Sequence, residues 1–283
     1  MSPGDMGQAV ASQLQASGFT VCTALDKRSK RSCRLAAQAG LVNLGSLARL
    51  AAECDIVLSI MNPGEAFNFS QEIASVLAPR STPLVFVDCN AVAPVTMQSI
   101  DTAVTKAGAI CVDGSIIGAP PRGTAVATLY LSGPDAEALE QLHAPLLNVH
   151  CMSDRVGDAS ALKMCYGSIN KGIQALVLEA LIVARRLGVE SELETQLVRS
   201  RPELHKWVLA SLPAMPPKAY RWTPEMTQIA KTFEDAGMTR RVFDGASDVF
   251  QFVASTPLGR ESPEERDRSR TGKDVVRLLA DLK

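Results

Sequence analysis

The sequence lacks the residue patterns of several classes of protein. Its seven cysteines include no Cys-x-x-Cys pair, and its three histidines stand at no spacing typical of metal ligands. We therefore expect no metal site and no disulfide framework, and an odd number of free thiols favours the reducing cytoplasm. The formal net charge is −1, so no excess of basic residues indicates binding to nucleic acid or to an anionic membrane.

Long apolar runs are also missing. The longest, residues 173–187, is interrupted by Glu179 and Arg185 and is too short to cross a bilayer. No basic stretch followed by an apolar one marks a secretory signal. A chain of 283 residues, 46% of them apolar, is instead typical of a cytoplasmic protein with about two domains.

The first half of the chain contains short apolar runs that alternate with amphipathic stretches. We predict buried strands at 19–25, 55–61, 83–88, 109–112 and 125–132, with helices between them. Apolar strands without clean alternation suit a parallel sheet that is covered on both faces. Residues 1–153 are therefore predicted to form an α/β domain with a Rossmann-type, doubly wound, mostly parallel sheet.

For the second half of the chain, the sequence predicts only helices. A long amphipathic helix at about 157–187 opens an all-α domain, residues 154–283, with further helices at 190–200, 202–212, 223–236, 240–254 and 273–282. Residues 258–271 are polar, and we expect them to be mobile. These helices have more apolar faces than one small bundle can bury. We therefore hypothesise that the protein forms a homodimer through this domain.

Residues 2–7, SPGDMG, follow the pattern G-x-G-x-x-G with a serine in place of the first glycine. In a dinucleotide-binding fold, the backbone N–H groups of such a loop face the pyrophosphate. A β-strand normally precedes this loop, and its absence here suggests either a truncated reading of a longer chain, which we favour, or another segment that takes its place. The backbone edges of the neighbouring strands should then be exposed. Cofactor contacts are expected from Ser2, Pro3, Gly4, Asp5 and Met6.

The strand predicted at 19–25 ends in a charged segment, DKRSKRS. Asp26 allows a bond to the ribose 2′-OH of NAD, whereas Lys27, Arg28, Ser29 and Arg31 favour the 2′-phosphate of NADP. We predict NADP as the cofactor, with NAD as an alternative. If the segment binds no ligand, it is simply a charged turn exposed to solvent.

Turn residues after the next two strands are expected to contact the same cofactor. Ligands of open α/β sheets bind just beyond the carboxyl ends of the strands. The residues in these positions are Met61, Asn62, Pro63 and Asn90.

Four segments carry a family resemblance in a fixed order: 2–7 (SPGDMG), 87–94 (VDCNAVAP), 113–119 (DGSIIGA) and 157–163 (GDASALK). Through them the chain resembles the β-hydroxyacid dehydrogenase superfamily, which includes 6-phosphogluconate and 3-hydroxyisobutyrate dehydrogenases. The segments look like its dinucleotide loop, the segment near the nicotinamide, the substrate loop and the catalytic-lysine helix. Residues 163–172, 219–226 and 229–237 resemble a branch with a C-terminal domain of unknown function.

The resemblance implies that Lys163 is the general acid/base in hydride transfer between NADP(H) and a carbonyl, hydroxyl or imine group. An ammonium group can stabilise the charge that develops on oxygen and give up its proton. The substrate loop implies substrate contacts at Ile117, Gly118 and Ala119. Gly118 is alternatively only a turn glycine, and Asn90 only a cap of residues 91–94.

Three positions depart from the family pattern. Ile117 takes the place of a serine that binds the substrate carboxylate, Gly167 that of an asparagine, and Ser2 that of a glycine. The first two departures indicate a substrate other than a small hydroxy acid and a larger or more apolar pocket. Helical spacing and charge suggest replacement contacts beside Gly167, namely Tyr166, Asn170, Lys171 and Arg221, although such an arginine is often merely solvated.

Two hypotheses follow for the function. The first is an NAD(P)-dependent oxidoreductase that acts on a small molecule. The second, favoured by the absent strand, is a non-catalytic nucleotide-binding protein of the same fold.

Overall fold

The computed structural model describes residues 3–26 and 28–282, so Ser2 and Lys27 lie outside the described part. The chain forms two compact units, Met1–Met164 and Cys165–Lys283. The boundary between them falls within a helix, after the position at 153 that the sequence suggests.

The first unit alternates strands with helices. Its strands are β1 (Cys22–Thr23), β2 (Val42–Asn43), β3 (Ile56–Ser59), β4 (Val85–Asp88), β5 (Ile110–Gly118), β6 (Ala127–Ser132) and β7 (Leu147–Ser153). Its helices are α1 (Asp5–Ala16), α2 (Lys30–Gln38), α3 (Leu47–Glu53), α4 (Ala66–Val76) and α5 (Pro94–Lys106). The predicted α/β class is confirmed.

The strands form two sheets in the described part of the chain. β1 pairs with β2 in parallel, and the larger sheet has the order β3-β4-β5-β6-β7. Only the pairing of β5 with β6 is antiparallel, so the predicted, mostly parallel Rossmann-type sheet is confirmed. Within the described residues, β1 and β3 are edge strands of these two separate sheets.

Several predicted bounds were wrong. The strand predicted at 19–25 is reduced to Cys22–Thr23, and the strand predicted at 109–112 continues to Gly118. The polar sequence at 113–115 remains extended because antiparallel pairing with β6 satisfies its backbone, so tertiary contacts override local preference. β2 and β7 were not predicted at all.

Two apolar clusters cover the two faces of the sheet. Along β3 and β4, Val57 and Phe86 belong to one cluster, whereas Leu58 and Val87 belong to the other. Successive side chains of a strand point to opposite faces, so apolar residues are needed at every position. The polar exceptions, Ser59 and Asp88, are buried at the carboxyl ends of these strands.

The second unit is helical, which confirms the predicted all-α part. Helix α6 (Asp158–Arg186) begins in the first unit and continues into the second, which also contains α7 (Glu190–Ser200), α8 (Pro202–Ser211), α9 (Ala219–Asp235), α10 (Arg241–Ser255), α11 (Pro257–Arg260) and α12 (Gly272–Ala280). The segment expected to be mobile, 258–271, includes most of α11 and an ion pair between Glu261 and Arg270, 2.7 Å apart.

Helix α6 is longer than its apolar run. By length and composition alone its 29 residues could cross a membrane. Of its most apolar 18-residue window, 44% is buried inside the protein, and a single helix of this kind is weak evidence of a membrane span.

Candidate functional site

The loop before α1 leaves the helix N-terminus open. Gly4 is the N-cap residue, and among the described residues no side chain caps the first-turn N–H groups. A Cβ atom added to Gly4 would meet no atom within 4 Å. Open space over unpaired N–H groups is what a pyrophosphate requires, so this loop fits a dinucleotide.

The other predicted residues of this loop support its shape. Pro3 is buried, Met6 is half-buried against the core, and the Asp5 carboxylate pairs with Arg122 at 2.7 Å. Arg122 also donates to the backbone oxygen of Asp5. The prediction for Ser2 lies outside the described residues.

A cavity lies beyond the end of β1. It has a volume of about 480 Å³ and is lined by Ala24, Asp26, Arg28, Leu47, Phe69 and Glu72. The two predicted cofactor residues Asp26 and Arg28 therefore line one cavity, together with three apolar side chains and the Glu72 carboxylate. The Ser29 hydroxyl instead accepts the backbone N–H of Ser32 at 3.2 Å and so caps α2.

The carboxyl ends of β3 and β4 are joined through one amide side chain. The Asn90 amide nitrogen donates to Ser59 Oγ and to Asp88 Oδ2, each at 2.8 Å. Its oxygen accepts the backbone N–H of Met61 at 2.6 Å. Asn90 is 3% exposed, so its side chain holds two strand ends together and does not cap the segment after it.

Next to Asn90, the turn after β3 has its own cap. The Asn62 side chain accepts the backbone N–H of Gly64 at 3.3 Å, and Pro63 is buried. The predicted residues Met61, Asn62 and Pro63 therefore lie in a turn held by local bonds and by Asn90.

A buried carboxylate anchors the first turn of α6. Asp113 Oδ2 accepts the backbone N–H groups of Gly157 and Ser160 at 3.0 and 2.9 Å, and Oδ1 accepts the Ser160 hydroxyl at 2.7 Å. The Ser132 hydroxyl donates to the same carboxylate at 3.1 Å. Burial raises the pKa of Asp113, and these donors oppose the shift.

This anchor places Lys163 at the end of β4. Its Nζ atom donates to the backbone oxygen of Cys89 at 3.3 Å, and the side chain is half-buried. The neighbouring carboxylate, Asp88, is fully buried, and this burial raises its pKa to about 6. The ammonium group therefore lies at the same sheet edge as Asn90 and Met61, where the fold places ligands.

The predicted substrate loop is the end of a strand. Ile117 is half-buried, whereas Gly118 and Ala119 are exposed. Gly118 has φ +125°, and a Cβ atom there would lie 2.9 Å from the backbone oxygen of Val126. This position requires glycine for steric reasons whether or not it touches a substrate.

The remaining predicted substrate contacts lie in the second unit. Tyr166 is 50% exposed, and its backbone oxygen accepts the Asn170 amide at 3.3 Å. A Cβ atom on Gly167 would lie 3.3 Å from Ile229 Cδ1, so close packing against α9 favours glycine here. Arg221 is half-buried on α9.

Lys171 has partners within the second unit. Its ammonium group forms an ion pair with Glu225 and lies 5.4 Å from the centre of the Trp222 ring. Both charged side chains are at most 19% exposed. The pair links α6 to α9, and removal of either partner would leave a largely buried charge without compensation.

Sequence reasoning missed the two buried aspartates as site residues. Asp88 and Asp113 each follow an apolar run, in PLVFVD and ICVD. An acidic residue that ends a buried strand must be bonded or neutral, and this signal could have identified both. No group of three or more potential metal ligands occurs within residues 3–26 and 28–282.

Comparison with known proteins identifies both parts of the chain. Residues 3–156 match the family described as the NAD binding domain of 6-phosphogluconate dehydrogenase, and residues 184–253 match a domain of unknown function. A probable 3-hydroxyisobutyrate dehydrogenase of Mycobacterium tuberculosis is 24% identical over 196 residues, which cover 67% of this chain and 64% of that protein. The chain spans 64–65% of the length of the curated relatives that it matches.

Two solved structures show the same fold. The 3-hydroxyisobutyrate dehydrogenase of M. tuberculosis, solved with L-serine, has a TM-score of 0.69 and is 16% identical in sequence. The match covers 98% of this chain and 96% of the dehydrogenase chain. An imine reductase from Myxococcus stipitatus, solved with NAD+, has a TM-score of 0.55 and 19% identity with the same coverage. The predicted family is confirmed. The chain belongs to the family of the NAD binding domain of 6-phosphogluconate dehydrogenase, an oxidoreductase family that uses a nicotinamide cofactor.

Proposed function

We propose that the protein is an NADP-dependent reductase that transfers hydride to a carbonyl or imine carbon, with Lys163 as the proton donor. The observation that carries this proposal is the hydrogen bond from Lys163 Nζ to the backbone oxygen of Cys89. It holds an ammonium group at the carboxyl end of β4, where ligands bind in folds of this type.

The residues at this edge of the sheet have different roles in the proposed reaction. A bound nicotinamide supplies the hydride, so the protein has to position the substrate and stabilise charge. Lys163 is within reach of an oxygen or nitrogen that gains negative charge, and it gives up its proton to that atom. Asn90 and Asp113 hold β3, β4 and the start of α6 in place, which keeps the ammonium in one position.

The cofactor preference rests on the cavity that contains Asp26 and Arg28. A guanidinium group matches the geometry of a 2′-phosphate, which favours Arg28 as the residue that binds it. We expect Arg28→Ala to weaken NADPH binding roughly tenfold and to leave NADH binding unchanged, because only NADPH carries the phosphate.

Fluorescence titration of both cofactors measures this preference. Arg34→Ala is the matched control, since Arg34 is an exposed arginine on the neighbouring helix α2. Equal losses of NADPH and NADH affinity in Arg28→Ala would contradict the NADP assignment.

The proposed substrate is larger or more apolar than a small hydroxy acid. Ile117 presents an aliphatic group where the family pattern has a hydroxyl group, and the Lys171 ammonium is paired with Glu225. Fewer polar groups are then available for a carboxylate. We therefore propose ketones, aldehydes and cyclic imines with apolar substituents as the substrate class.

The test of Lys163 uses NADPH oxidation over a panel of hydroxy acids, ketones, aldehydes and cyclic imines. With the best substrate, Lys163→Ala should lower kcat by about 10²–10⁴, because a general acid contributes this much. Its Kd for NADPH should stay within about twofold, because the lysine acts on the substrate. Lys106→Ala, at an exposed lysine on α5, is the control. Unchanged turnover in Lys163→Ala would exclude the lysine as the acid.

A second candidate function is dinucleotide binding without turnover. The observation that favours it is that, within the described residues, β1 and β2 form a sheet separate from β3–β7, because two separate sheets support the dinucleotide loop less firmly than one. A chain that binds NADPH and yet turns over no member of the panel would support this candidate over the first.

A further inference from the structure

Arg122 stands in the segment between β5 and β6, beside the dinucleotide loop. Its Nη2 atom donates to the backbone oxygen of Asp5 and to the Asp5 carboxylate, each at 2.7 Å. Asp5 is the first residue of α1 and directly follows Gly4, the N-cap residue. The guanidinium group therefore lies at the end of α1 where the described side chains leave the N–H groups uncapped.

Both of these hydrogen bonds use a single nitrogen atom of the guanidinium group. Within residues 3–26 and 28–282, no acceptor bonds to the Nε or Nη1 atom of Arg122. An arginine carries its N–H donors in a fixed planar fork, so most of them remain available to a ligand. The side chain is 55% exposed, and a ligand can therefore reach it.

The backbone next to Arg122 is held against α1 as well. The Gln13 side chain, about two turns after Asp5, donates to the backbone oxygen of Pro121 at 3.4 Å and accepts the backbone N–H of Leu146 at 3.1 Å. Pro121 is buried, and the two consecutive prolines before Arg122 restrict the backbone because each fixes its own φ. Arg122 is thus in position before a ligand binds, which lowers the entropy cost of binding.

The Asp5 carboxylate needs such a partner if the loop binds a pyrophosphate. A negative charge at a helix N-terminus is favourable in the free protein, but it repels a phosphate in the same place. The ion pair with Arg122 offsets this charge, and the remaining guanidinium donors match the geometry of phosphate oxygens. The two side chains together therefore add hydrogen-bond donors to the loop without adding net negative charge.

We propose that Arg122 is a further ligand of the cofactor pyrophosphate, which it binds together with the backbone N–H groups of the dinucleotide loop. The inference rests on the cofactor binding that is part of the proposed function. The pyrophosphate is common to NADP and NAD, whereas the 2′-phosphate assigned to Arg28 occurs only in NADP. Arg122 should therefore determine the affinity for both cofactors, and Arg28 the preference between them.

Fluorescence titration of the full chain with NADPH and with NADH tests this assignment. Arg122→Ala should raise the Kd of both cofactors by about tenfold, because charge-assisted hydrogen bonds to the shared pyrophosphate are lost. Arg28→Ala should raise the Kd of NADPH alone. Arg49→Ala is the matched control and should change neither Kd, since Arg49 is another exposed arginine of the first unit that is paired with a carboxylate, that of Glu53.

A fragment of the cofactor locates the contact. ADP-ribose carries the pyrophosphate but neither the nicotinamide nor the 2′-phosphate, whereas adenosine carries no phosphate. In calorimetry, Arg122→Ala should raise the Kd of ADP-ribose by about tenfold and leave that of adenosine unchanged. The melting temperature of the free variant should stay within about 2 °C of the wild type, because an exposed ion pair contributes little to stability.

A second substitution separates direct contact from mere neutralisation of charge. Asp5→Asn leaves no carboxylate to neutralise, and it should bind both cofactors at least as tightly as the wild type. If Arg122 contacts the pyrophosphate, the double variant Asp5→Asn/Arg122→Ala should bind them about tenfold more weakly than Asp5→Asn alone. Equal affinities of these two variants would mean that Arg122 only offsets the charge of Asp5, and would overturn the proposal.

The remaining outcomes distinguish this proposal from the proposed reaction. Unchanged Kd values for NADPH, NADH and ADP-ribose in Arg122→Ala would overturn the pyrophosphate contact, even in a protein that turns over a substrate. A loss of affinity for NADPH alone would also overturn it, because the contact would then be to the 2′-phosphate. A common loss for all three ligands would support it, even if no member of the substrate panel is reduced.

Discussion

Asn90 shows how the polar groups at the candidate site are held. Both amide hydrogens and the amide oxygen are used within the protein, by Ser59, Asp88 and the backbone of Met61. A buried amide with all its partners is stable in one orientation only. The strand ends that flank Lys163 are consequently set by hydrogen bonds as well as by apolar packing.

Asp88 should make stability depend on pH. Burial raises its pKa to about 6, against an ordinary value of 3.8. Between these values the folded chain binds more protons than the unfolded chain, so the free energy of unfolding falls as pH rises from about 4 to 6. Above pH 6 the ionised carboxylate costs about 3 kcal/mol, since each pKa unit corresponds to about 1.4 kcal/mol.

Urea unfolding of the wild type and of Asp88→Asn between pH 4 and pH 7 measures this effect. The variant cannot ionise at this position, so its stability relative to the wild type should improve by about 3 kcal/mol across the range. Parallel stability curves for the two proteins would show that Asp88 does not titrate there. The comparison removes the contributions of carboxylates with lowered pKa, such as Asp274, because both proteins share them.

Gly118 offers a test of backbone strain. With φ +125° and a Cβ position 2.9 Å from the Val126 oxygen, Gly118→Ala should lower the free energy of unfolding by about 1–3 kcal/mol. Gly245→Ala is the control, because this glycine lies inside α10 and its Cβ position is open. That change should stabilise the protein by about 0.5–1 kcal/mol. Equal effects of the two substitutions in urea unfolding would argue against strain at Gly118.

At the scale of elements, α6 depends on a carboxylate from β5. Asp113 accepts the backbone N–H of Gly157, which directly precedes α6, and that of Ser160 in its first turn, as well as the hydroxyl groups of Ser132 and Ser160. Helix N-termini have unpaired N–H groups, and a negative charge near them is favourable. The position of Lys163 therefore depends on a residue fifty positions earlier in the chain.

Removal of this anchor should be costly. Ser160→Ala removes one hydrogen bond to a buried charged group, and we expect a loss of about 1.5–3 kcal/mol in the free energy of unfolding. Ser99→Ala, at an exposed serine that bonds within its own helix α5, should change it by less than about 0.5 kcal/mol. Thermal and urea unfolding of both variants measure the difference. A loss in Ser160→Ala no larger than in Ser99→Ala would mean that Asp113 does not anchor the helix.

The order of elements could be read largely from periodicity. Helix α7 begins and ends where the sequence predicts, because its pattern depends on neighbours three and four residues apart. The carboxyl half of β5 could not be predicted in this way. Its polar start, Asp113-Gly114-Ser115, is extended only because β6 pairs with it from fourteen or more residues away.

At the scale of the whole molecule, we propose that the protein forms a homodimer through its helical unit. The second half of α6 exposes Leu176 and Val183, and Leu187 is exposed directly after the helix; Leu176 is 67% exposed. Val242 on α10 is exposed to a similar degree and lines the same groove as Leu176. Contiguous exposed apolar groups of this kind mark interaction sites.

The mass in solution tests this proposal. Light scattering at micromolar concentration should give twice the chain mass for the wild type. Leu176→Glu should weaken the dimer at least about tenfold, because it buries an unpaired charge in the interface. Val198→Glu, at an exposed valine on α7, should leave the mass unchanged. A monomeric wild type would remove the dimer hypothesis.

The sequence by itself determined the class of fold, the division into α/β and helical parts, the dinucleotide loop and the candidate lysine. The first three depend on local spacing, which sets which residues share a face and which segment precedes a helix, whereas the lysine was identified through the family resemblance. Only the tertiary structure decided that Asn90 joins β3 to β4 and that Asp113 anchors α6. These features arise where residues distant in the chain meet, and the energy of burying their polar groups depends on partners that no local pattern specifies.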